Sequence, residues 1–292
     1  MNDLLKEKLP SLLASYQGLY VACACFTMLD AKDRKGVLKT LKDDIKEMFT
    51  NKLAYVFLIH ILNSLDDTTL SKKKIITELL KCVDELINEK FYQNIYLGIF
   101  TPQSKLVFTA EEIEAFNAFS DRSSSKKPAA TRRLELLQGI LKPLESFFEE
   151  HLQYHLEEIN KNPLLKALLK SIVELGFGEE HQDLTDEMLR QVQKKAPYEK
   201  DGEKGILLGH PDLHRVLKDL VRQEREQEDT RETLGFSSQM ASVLAKNLDD
   251  VLRTRGVFIA LELIEHEESA KFLLPQLISR KKEIQKIAKE MP

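Results

Sequence analysis

A twelve-residue phrase recurs three times near the start of the chain. The copies read SYQGLYVACACF from Ser15, NKLAYVFLIHIL from Asn51 and EKFYQNIYLGIF from Glu89. Gly18, Ala54 and Tyr92 hold the same place in the three copies, at intervals of 36 and then 38 residues. Self-similarity at a period of roughly 20–50 residues is typical of stacked structural repeats. The phrase therefore predicts a repeat protein.

Each of the first two phrases runs through an Asp-rich turn into an amphipathic segment. The two segments read LDAKDRKGVLKTLKDDIKEMF and LDDTTLSKKKIITELLKCVDELI. Their apolar residues recur at three- and four-residue steps, which indicates a helix face rather than a strand. One such unit cannot bury its apolar face alone, so neighbouring units are expected to stack on it.

Composition and charge narrow the class. The 292 residues are 42% hydrophobic and contain only 11 Gly and 9 Pro, so we expect an all-α protein without strands. Three cysteines are too few for a disulfide framework, and no apolar run approaches the roughly 20 residues of a membrane helix. The formal net charge is −4, and a strong nonspecific nucleic-acid binder usually carries a basic surplus. Any such affinity must come from one face.

A basic, Ser-rich segment, SDRSSSKKPAATRR, interrupts the helical pattern after the third phrase. We predict a loop over 121–133, preceded by three clear repeats over 1–120 and followed by a helical region over 134–292. Three weaker copies are proposed in that region: NKNPLLKALLKSIV from Asn160, GHPDLHRVLKDLV from Gly209 and RTRGVFIALELI from Arg253. Their irregular spacing indicates inserted loops, and YEKDGEKGILLGHPD is predicted to be the longest exposed one.

Several phrases together carry a family resemblance. They are LDAKDRKGVLKTLK, NKLAYVFLIHILNSLDDTTLSKKKIITEL, EKFYQNIYLGIFTPQ followed by TAEEI, GHPDLHRVLKDL and RGVFIALELI. In order and spacing they resemble the Puf-A type, the divergent nucleolar branch of the pumilio-homology (Puf) proteins, with its C-terminal CPL domain. The resemblance implies an α-solenoid of about six Puf-like repeats in a right-handed superhelical stack. It also implies that 1–120 is the end of a Puf array and 134–292 a CPL-type region.

The resemblance implies a function as well. It predicts sequence-tolerant RNA binding in the nucleolus, in large-subunit ribosome biogenesis and rRNA processing, together with translational control. The expected partners are rRNA precursors or mRNA 3′ untranslated regions, DNA as an alternative, and ribosome-assembly proteins; no membrane and no cofactor is expected, and the chain is expected to be a monomer. Family members are usually longer, so the chain is expected to be a short member, a fragment or an incomplete gene model.

The resemblance also maps reading positions, the three side chains of one helix per repeat that face RNA in sequence-reading pumilio proteins. Here they are Leu19, Tyr20, Cys23; Tyr55, Val56, Ile59; Gln93, Asn94, Leu97; Leu164, Leu165, Leu168; Leu213, His214, Leu217; and Val257, Phe258, Leu261. Apolar side chains cannot hydrogen-bond a base edge, so only Gln93 with Asn94 has the chemistry to read one. The base code is predicted to be largely erased.

What remains is stacking and phosphate contact. Tyr20, Tyr55 and Phe258 could offer ring faces to bases, the alternative being that they pack on the next repeat. The phosphate candidates are Lys72, Lys73, Lys74, Lys126, Lys127, Arg132 and Arg133, the alternative being a solvated surface.

Enzyme motifs are weak. His151 and His155 are four residues apart, a spacing that can hold zinc, but the glutamate of an HExxH motif is absent. Cys23, Cys25 and Cys82 lie in apolar segments, which favours buried packing over ligation. We expect no catalytic residues, no metal and no enzyme activity.

Two alternative functions stay open at this point. The first is a protein-interaction scaffold for ribosome-assembly factors, with RNA binding left to an absent N-terminal half. The second is an armadillo- or HEAT-type adaptor, whose repeats of roughly 40–47 residues fit the 36- and 38-residue intervals poorly.

Overall fold

A computed structural model describes residues 2–41, 44–120, 125–175, 182–200, 203–227 and 235–290. Within these ranges the chain is helical apart from one two-stranded hairpin, so the all-α prediction is confirmed in its main part. None of the described helices combines the length and apolarity that crossing a bilayer requires. The chain divides into two compact units, residues 1–143 and 144–292.

The first unit begins with helix α1 and ends inside α12, which continues into the second. Its helices are α1 (Asn2–Leu12), α2 (Tyr16–Met28), α3 (Ala31–Thr40), α4 (Ile45–Met48), α5 (Ala54–Ser64), α6 (Thr68–Ser71), α7 (Thr77–Lys81), α8 (Val83–Leu86), α9 (Lys90–Phe100), α10 (Ala110–Ser120), α11 (Ala129–Leu137) and α12 (Leu141–Glu149).

The three clear phrases form α2, α5 and α9, which pack side by side, α2 on α5 and α5 on α9. Gly98 lets α9 approach α5 closely, because a Cβ there would lie 2.7 Å from Cγ2 of Ile59. The acidic turns begin the helices that follow. Asp30 accepts a hydrogen bond from an N–H of α3, and Asp67 accepts one from an N–H of α6.

The lysine run of the second repeat lies in a π-helical turn, Lys72–Ile76, between α6 and α7. Ile75, Ile76 and Leu79 are fully buried, which confirms the predicted apolar stripe of this segment. Lys73 is exposed and Lys72 and Lys74 are half-buried. The turn therefore carries cations outside and isoleucines inside.

The second unit contains the rest of the helices and the hairpin. Its elements are α13 (Leu152–Glu157), α14 (Pro163–Leu175), α15 (Gln182–Gln191), β1 (Lys195–Lys200), β2 (Glu203–Ile206), α16 (Leu213–Gln227), α17 (Phe236–Lys246), α18 (Leu248–Arg253), α19 (Val257–Leu263), α20 (Glu267–Ser279) and α21 (Lys281–Glu290), with short 3₁₀ turns at Ile159–Lys161 and Leu207–Gly209.

The three weaker phrases form α14, α16 and α19, and these again pack side by side, α14 on α16 and α16 on α19. A second layer consists of α15, α17 and α20, in which α17 contacts both neighbours. The buried carboxylate of Glu224 on α16 accepts hydrogen bonds from the N–H groups of Phe236 and Ser237, at 2.9 and 2.6 Å. It thereby satisfies the free donors at the start of α17.

Two local predictions were wrong. The predicted exposed loop, which begins at Tyr198, overlaps the antiparallel pair β1 and β2, and Leu207 and Leu208 within it are buried. The missed signal is Asp201–Gly202 between the strands in sequence, because Asp-Gly is a strong hairpin dipeptide. The basic loop predicted over 121–133 is shorter, because α11 begins at Ala129; residues 121–124, with Arg122, lie outside the described residues.

Candidate nucleic-acid interface

The reading positions of the first unit are mostly buried. Leu19, Cys23, Val56 and Ile59 are each at most 1% exposed. Burial therefore agrees with the prediction that these positions carry no base code. The residues around these positions show which part of the chain covers them.

The chain between α9 and α11 folds back over this face. We call residues 101–120, which include α10, the insertion segment. Helix α10 packs on α2, and the Phe116 ring stacks on His60 of α5 at 5.3 Å between ring centroids. Burial, followed by the charges of Glu112 and Glu111, raises the pKa of Tyr20. The insertion segment thus occupies the side of α2 and α5 on which Tyr20 lies.

His60 is the residue that joins the three helices. Its Nε2 lies 2.8 Å from the Thr27 hydroxyl and 3.1 Å from the Cys23 carbonyl on α2, while its ring contacts Phe116 on α10. Because the Cys23 oxygen only accepts, Nε2 carries the proton in this arrangement. Burial lowers the His60 pKa to about 4, an effect that the hydrogen bond to Cys23 opposes and the Arg34 charge strengthens. The ring is neutral at pH 7.

The predicted stacking role of Tyr55 is wrong for this structure. Its ring is 7% exposed and stacks on Phe91 of α9, with ring centroids 5.2 Å apart. Its hydroxyl donates to the carbonyl of Val107 in the insertion segment at 3.3 Å. Both ring faces therefore belong to the packed interior, as the alternative prediction had it. Tyr20 is half-buried beside α10.

Gln93 and Asn94 do not present a base-reading edge. The Gln93 amide donates a hydrogen bond to the Ile87 carbonyl at 2.6 Å, next to the start of α9. Asn94 is 5% exposed, and its hydrogen bond with Tyr55 partly offsets the burial that raises the Tyr55 pKa. The amide groups that sequence chemistry favoured are therefore used within the chain.

Arg132 and Arg133 are structural rather than free for phosphate. Arg132 Nε donates to the Asn63 carbonyl at 2.9 Å, at the end of α5. Arg133 donates to the Phe100 carbonyl at 2.6 Å, at the end of α9. Basic side chains at helix C-termini satisfy the last carbonyls and the negative end of the dipole. The phosphate role predicted for this pair is replaced by helix capping.

Arg34, which sequence reasoning did not single out, does the same for two helices. It is 2% exposed and donates to the carbonyls of Phe26 and Thr27 on α2 and of Ser64 on α5, the Phe26 and Ser64 bonds being 3.1 and 2.9 Å. Burial lowers its pKa, Asp66 opposes this and Arg132 adds to it. The signal available in the sequence was a basic residue one turn into a helix that otherwise begins at an Asp cap.

Asp66 anchors the basic loop. Its carboxylate accepts from the Ser125 hydroxyl, the backbone N–H groups of Lys126 and Lys127, and the Arg132 guanidinium. Burial raises the Asp66 pKa, but the hydrogen bonds from Ser125, Lys126 and Lys127 and the Arg132 charge outweigh burial and lower it overall. The loop is thus held against the acidic turn of the second repeat.

The anchoring brings several lysines together on the outside of the unit. Lys127 Nζ lies 2.8 Å from Glu135, whose pKa is lowered by Lys127, Thr68 and, more weakly, Lys72. Lys35 pairs with Asp67 at 2.7 Å, next to the same turn. We call the group the lysine surface; its members are Lys35, Lys72, Lys73, Lys74, Lys126 and Lys127. Among the described residues, no acidic group lies within ion-pair distance of Lys72, Lys73, Lys74 or Lys126.

A cavity of about 360 Å³ opens at this place, between the two acidic turns. Its lining includes Arg34, Lys35, Lys127, Asp67 and Thr69. The stem of Lys72 packs against Gly139, because a Cβ added to Gly139 would lie 2.9 Å from Cδ of Lys72. Three cations, Arg34, Lys35 and Lys127, line the cavity beside two carboxylates, Asp66 and Asp67. Lys35 and Lys127 are each paired with an acidic group.

The second unit differs at the last copy of the phrase. The reading positions of α14 and α16 are buried, His214 at 6% exposure being the most open. On α19, by contrast, Phe258 is 48% and Leu261 52% exposed. One aromatic reading position is therefore open to solvent.

His155 and the cysteines are packing residues, whereas His151 is exposed. His155 lies edge-on to Phe148, with ring centroids 5.0 Å apart, and its Nδ1 is 3.2 Å from the Asn162 amide. All three cysteines are buried and unbridged, which confirms their predicted packing. In the part of the chain that the structure describes, no three His, Cys, Asp or Glu side chains converge as metal ligands.

Known proteins resemble this chain in sequence and in fold. The CPL (NUC119) domain family matches residues 88–233, half of the chain. Human Pumilio homolog 3 is 27% identical over 267 residues, which cover 91% of this chain and 40% of that protein. The crystal structure of human Puf-A matches with a TM-score of 0.79 at 25% identity, over 99% of this chain and 57% of that one.

The chain belongs to the Puf-A type of the pumilio-homology proteins. A second structure, human Puf-A in complex with DNA, matches with a TM-score of 0.78 at 25% identity, over 96% of this chain and 54% of that one. In yeast (Saccharomyces cerevisiae), Pumilio homology domain family member 6 is 26% identical over 66% of this chain and 30% of its own length. The chain spans about 40% of the length of its mammalian relatives. The predicted Puf-like repeat fold is confirmed, and the armadillo- or HEAT-type alternative is set aside.

Proposed function

We propose that this chain binds RNA through the phosphate backbone, with little preference for base sequence, by means of the lysine surface. The observation that carries the proposal is the contrast within the first unit. Apart from the half-buried Tyr20, the reading positions of α2 and α5 are buried beside the insertion segment, whereas Lys73 in the π-turn and Lys126 in the loop are exposed. Backbone contacts position a nucleic acid but carry no sequence information. That human Puf-A was solved with DNA supports a nucleic-acid ligand for this type.

A salt titration tests the proposal. Binding of a labelled random-sequence RNA is measured by fluorescence anisotropy from low to moderate salt, because each phosphate contact adds about 0.7–0.9 to the slope of log K against log salt. Reversal of Lys72, Lys73, Lys74 and Lys126 to Glu is expected to weaken all sequences about equally and to lower the slope by up to about 3.

The matched control reverses four exposed lysines elsewhere: Lys39, Lys90, Lys105 and Lys246. It makes the same change of net charge and is expected to lose far less affinity. Equal losses in the two variants would contradict the lysine surface as the site. No binding of the unaltered chain at micromolar concentration would favour the alternative function, a scaffold for ribosome-assembly proteins.

The biological setting that we propose is the nucleolus, in rRNA processing and assembly of the large ribosomal subunit, with translational control through mRNA 3′ untranslated regions as a second role. What supports it is membership of the Puf-A type. In cells, the tagged chain should concentrate in the nucleolus and crosslink to rRNA precursors, and the four-lysine variant should lose the crosslinks. Crosslinks to messenger RNA alone would contradict the ribosomal role.

A further inference from the structure

The last helix of the second layer exposes apolar side chains. Helix α20 completes the layer of α15 and α17, and it packs on α17 and α19. Phe272, Leu274 and Ile278 on α20 are 49%, 40% and 67% exposed, whereas Met240 and Leu244 on α17 have no exposed surface. A terminal repeat of a solenoid needs a polar outer face to stay soluble by itself. The outer side of α20 is apolar instead, which is typical of an interaction surface.

The exposed residues of α20 form one continuous side of the helix. Glu267, Lys271, Leu274 and Ile278 recur at steps of four, three and four residues, so their side chains lie in one row. All four are exposed, and Leu273 on the opposite side is buried. Steps of this kind are the spacing with which one helix packs along another.

The charges of this helix are divided between its two ends. Glu267 and Glu268 occupy the first turn of α20, and three basic residues, Arg280, Lys281 and Lys282, follow its last residue. Acidic residues at the start of a helix and basic residues at its end also suit the helix dipole. The apolar middle of α20 is therefore bounded by negative charge at one end and positive charge at the other.

The ion pairs at the acidic end are local and exposed. Lys271 lies 3.1 Å from Glu267 and 3.0 Å from Glu268, and all three side chains are at least 60% exposed. Exposed pairs of this kind contribute little and exchange readily for other partners. Among the described residues, no carboxylate lies within 4.0 Å of Lys281 or Lys282.

We propose that two copies of this chain associate through α20, which lies antiparallel to α20 of the other copy about a two-fold axis next to Leu274. In this register, Glu267 and Glu268 of one copy face Lys282 and Lys281 of the other, and the contact is repeated on the far side of the axis. The 13 residues of α20 extend over about 20 Å, which keeps the two charged ends apart. Two-fold contacts are the commonest way in which identical chains associate.

A second copy matches both ends of this surface. A partner with charge of one sign would complement one end of α20 and repel the other, whereas α20 itself carries both signs in the reverse order. A parallel arrangement would place Glu267 against Glu267 and is therefore unfavourable. The proposal differs from the monomer expected from the sequence, and it does not depend on RNA binding.

Sedimentation equilibrium of the RNA-free chain tests the proposal. A contact of one helix on each side is small, so we expect a Kd of about 1–100 µM and a mass that rises over this range from one chain towards two. Ile278→Glu should raise the Kd at least about 10-fold, because its carboxylate would lose water in the contact. Leu106→Glu is the matched control, because Leu106 in the first unit is 71% exposed and its replacement should leave the Kd unchanged.

Charge reversal tests the antiparallel register. One variant combines Glu267→Lys with Glu268→Lys, and the other combines Lys281→Glu with Lys282→Glu. Each variant alone should be a monomer, because like charges then meet at both ends of the contact. An equimolar mixture should form dimers again, since each reversed end then faces an opposite charge. Circular dichroism melts check that every variant is folded.

Each outcome decides the proposal. The mass of a single chain at all concentrations overturns it. Association of the unaltered chain with the same Kd as Ile278→Glu also overturns it, because α20 is then not the contact. Failure of the two charge-reversed variants to associate when mixed overturns the antiparallel register, and restored association in the mixture supports it.

Discussion

The same phrase ends in opposite surroundings in the two units. Tyr55, in the second copy, is 7% exposed between Phe91 and the insertion segment. Phe258, in the last copy, is 48% exposed on α19. Both are aromatic residues of a reading triplet. The phrase thus specifies a helix and its stacking edge, while the chain that follows decides whether the face stays open.

The connections explain the difference. After α9 the chain runs through the insertion segment before α11, long enough to return to α2. After α19 only three residues precede α20, so the following chain has no room to return. An insertion thus converts a recognition face into an internal packing face. Under the proposed function, nucleic-acid binding by the first unit is therefore assigned to the lysine surface and not to the reading positions.

The two units also hold their helices together differently. The first uses buried arginines on helix-end carbonyls, as with Arg34 and Arg132. The second uses the ion pair of Arg222 with Glu262 between α16 and α19. In the described part of the first unit the arginines bond to helix-end carbonyls, so the exposed cations there are lysines. In the second unit, arginine and lysine side chains lie near the exposed Phe258 ring.

The largest effect is expected at the buried cap of the first unit. Arg34→Met should cost about 3–5 kcal/mol of unfolding free energy, because three carbonyls at the ends of α2 and α5 lose their donor. Urea unfolding measures the loss, with Lys32→Met, an exposed change on the same helix, as the control. A cost below about 1 kcal/mol would show that the caps do not hold the first unit together.

The second largest effect is expected from low pH, which acts on the buried His60 side chain between α2, α5 and α10. The His60 pKa is about 4 in the folded chain and about 6.5 for an ordinary histidine, so below pH 6.5 the unfolded chain binds a proton that the folded chain does not. Stability is full above pH 6.5 and falls as pH drops towards 4, by about 2–3 kcal/mol at pH 4.5.

His60→Gln removes this titration. The wild-type chain should therefore lose about 2–3 kcal/mol more than His60→Gln between pH 7.5 and 4.5 in urea unfolding. Equal slopes of stability against pH in the two proteins would mean that His60 is not the buried neutral link between α2, α5 and α10.

A pair of matched truncations compares the two faces directly. Phe116→Ala should cost about 2–3 kcal/mol, because the ring packs on His60, Phe108 and Phe119. Phe258→Ala should stay within about 0.5 kcal/mol, because half of that ring is already in solvent. The comparison fails if the two variants lose the same stability in urea unfolding.

The repeat helices could be predicted from the sequence. Phrases of one pattern gave α2, α5 and α9, and even the weak copies gave neighbouring helices, because apolar spacing is a local signal. The acidic turns also follow from local chemistry, since Asp30 and Asp67 cap the helices they precede.

The packing of α10 on α2 could not be predicted from the sequence. The contact between His60 and Phe116 joins residues 56 positions apart, and no periodic pattern links them. Positive charge in the sequence was also an unreliable guide to which side chains are exposed. Arg132 and Lys126 look alike in a basic Ser-rich segment, but one is buried at the end of α5 and the other is exposed. Only the fold decides which cation meets a carbonyl.

Thiol labelling tests whether the reading face is closed in the first unit and open at α19 of the second. Cys23 is a reading position of α2 with no exposed surface, and burial and the Glu112 charge raise its pKa well above the ordinary value. In the Phe258→Cys variant, mass spectrometry would follow Cys23 and the new thiol at position 258 within one chain. We predict that position 258 is labelled at least about 100-fold faster, and that adding Phe116→Ala speeds Cys23 alone. Equal labelling rates at Cys23 and position 258 would contradict the account.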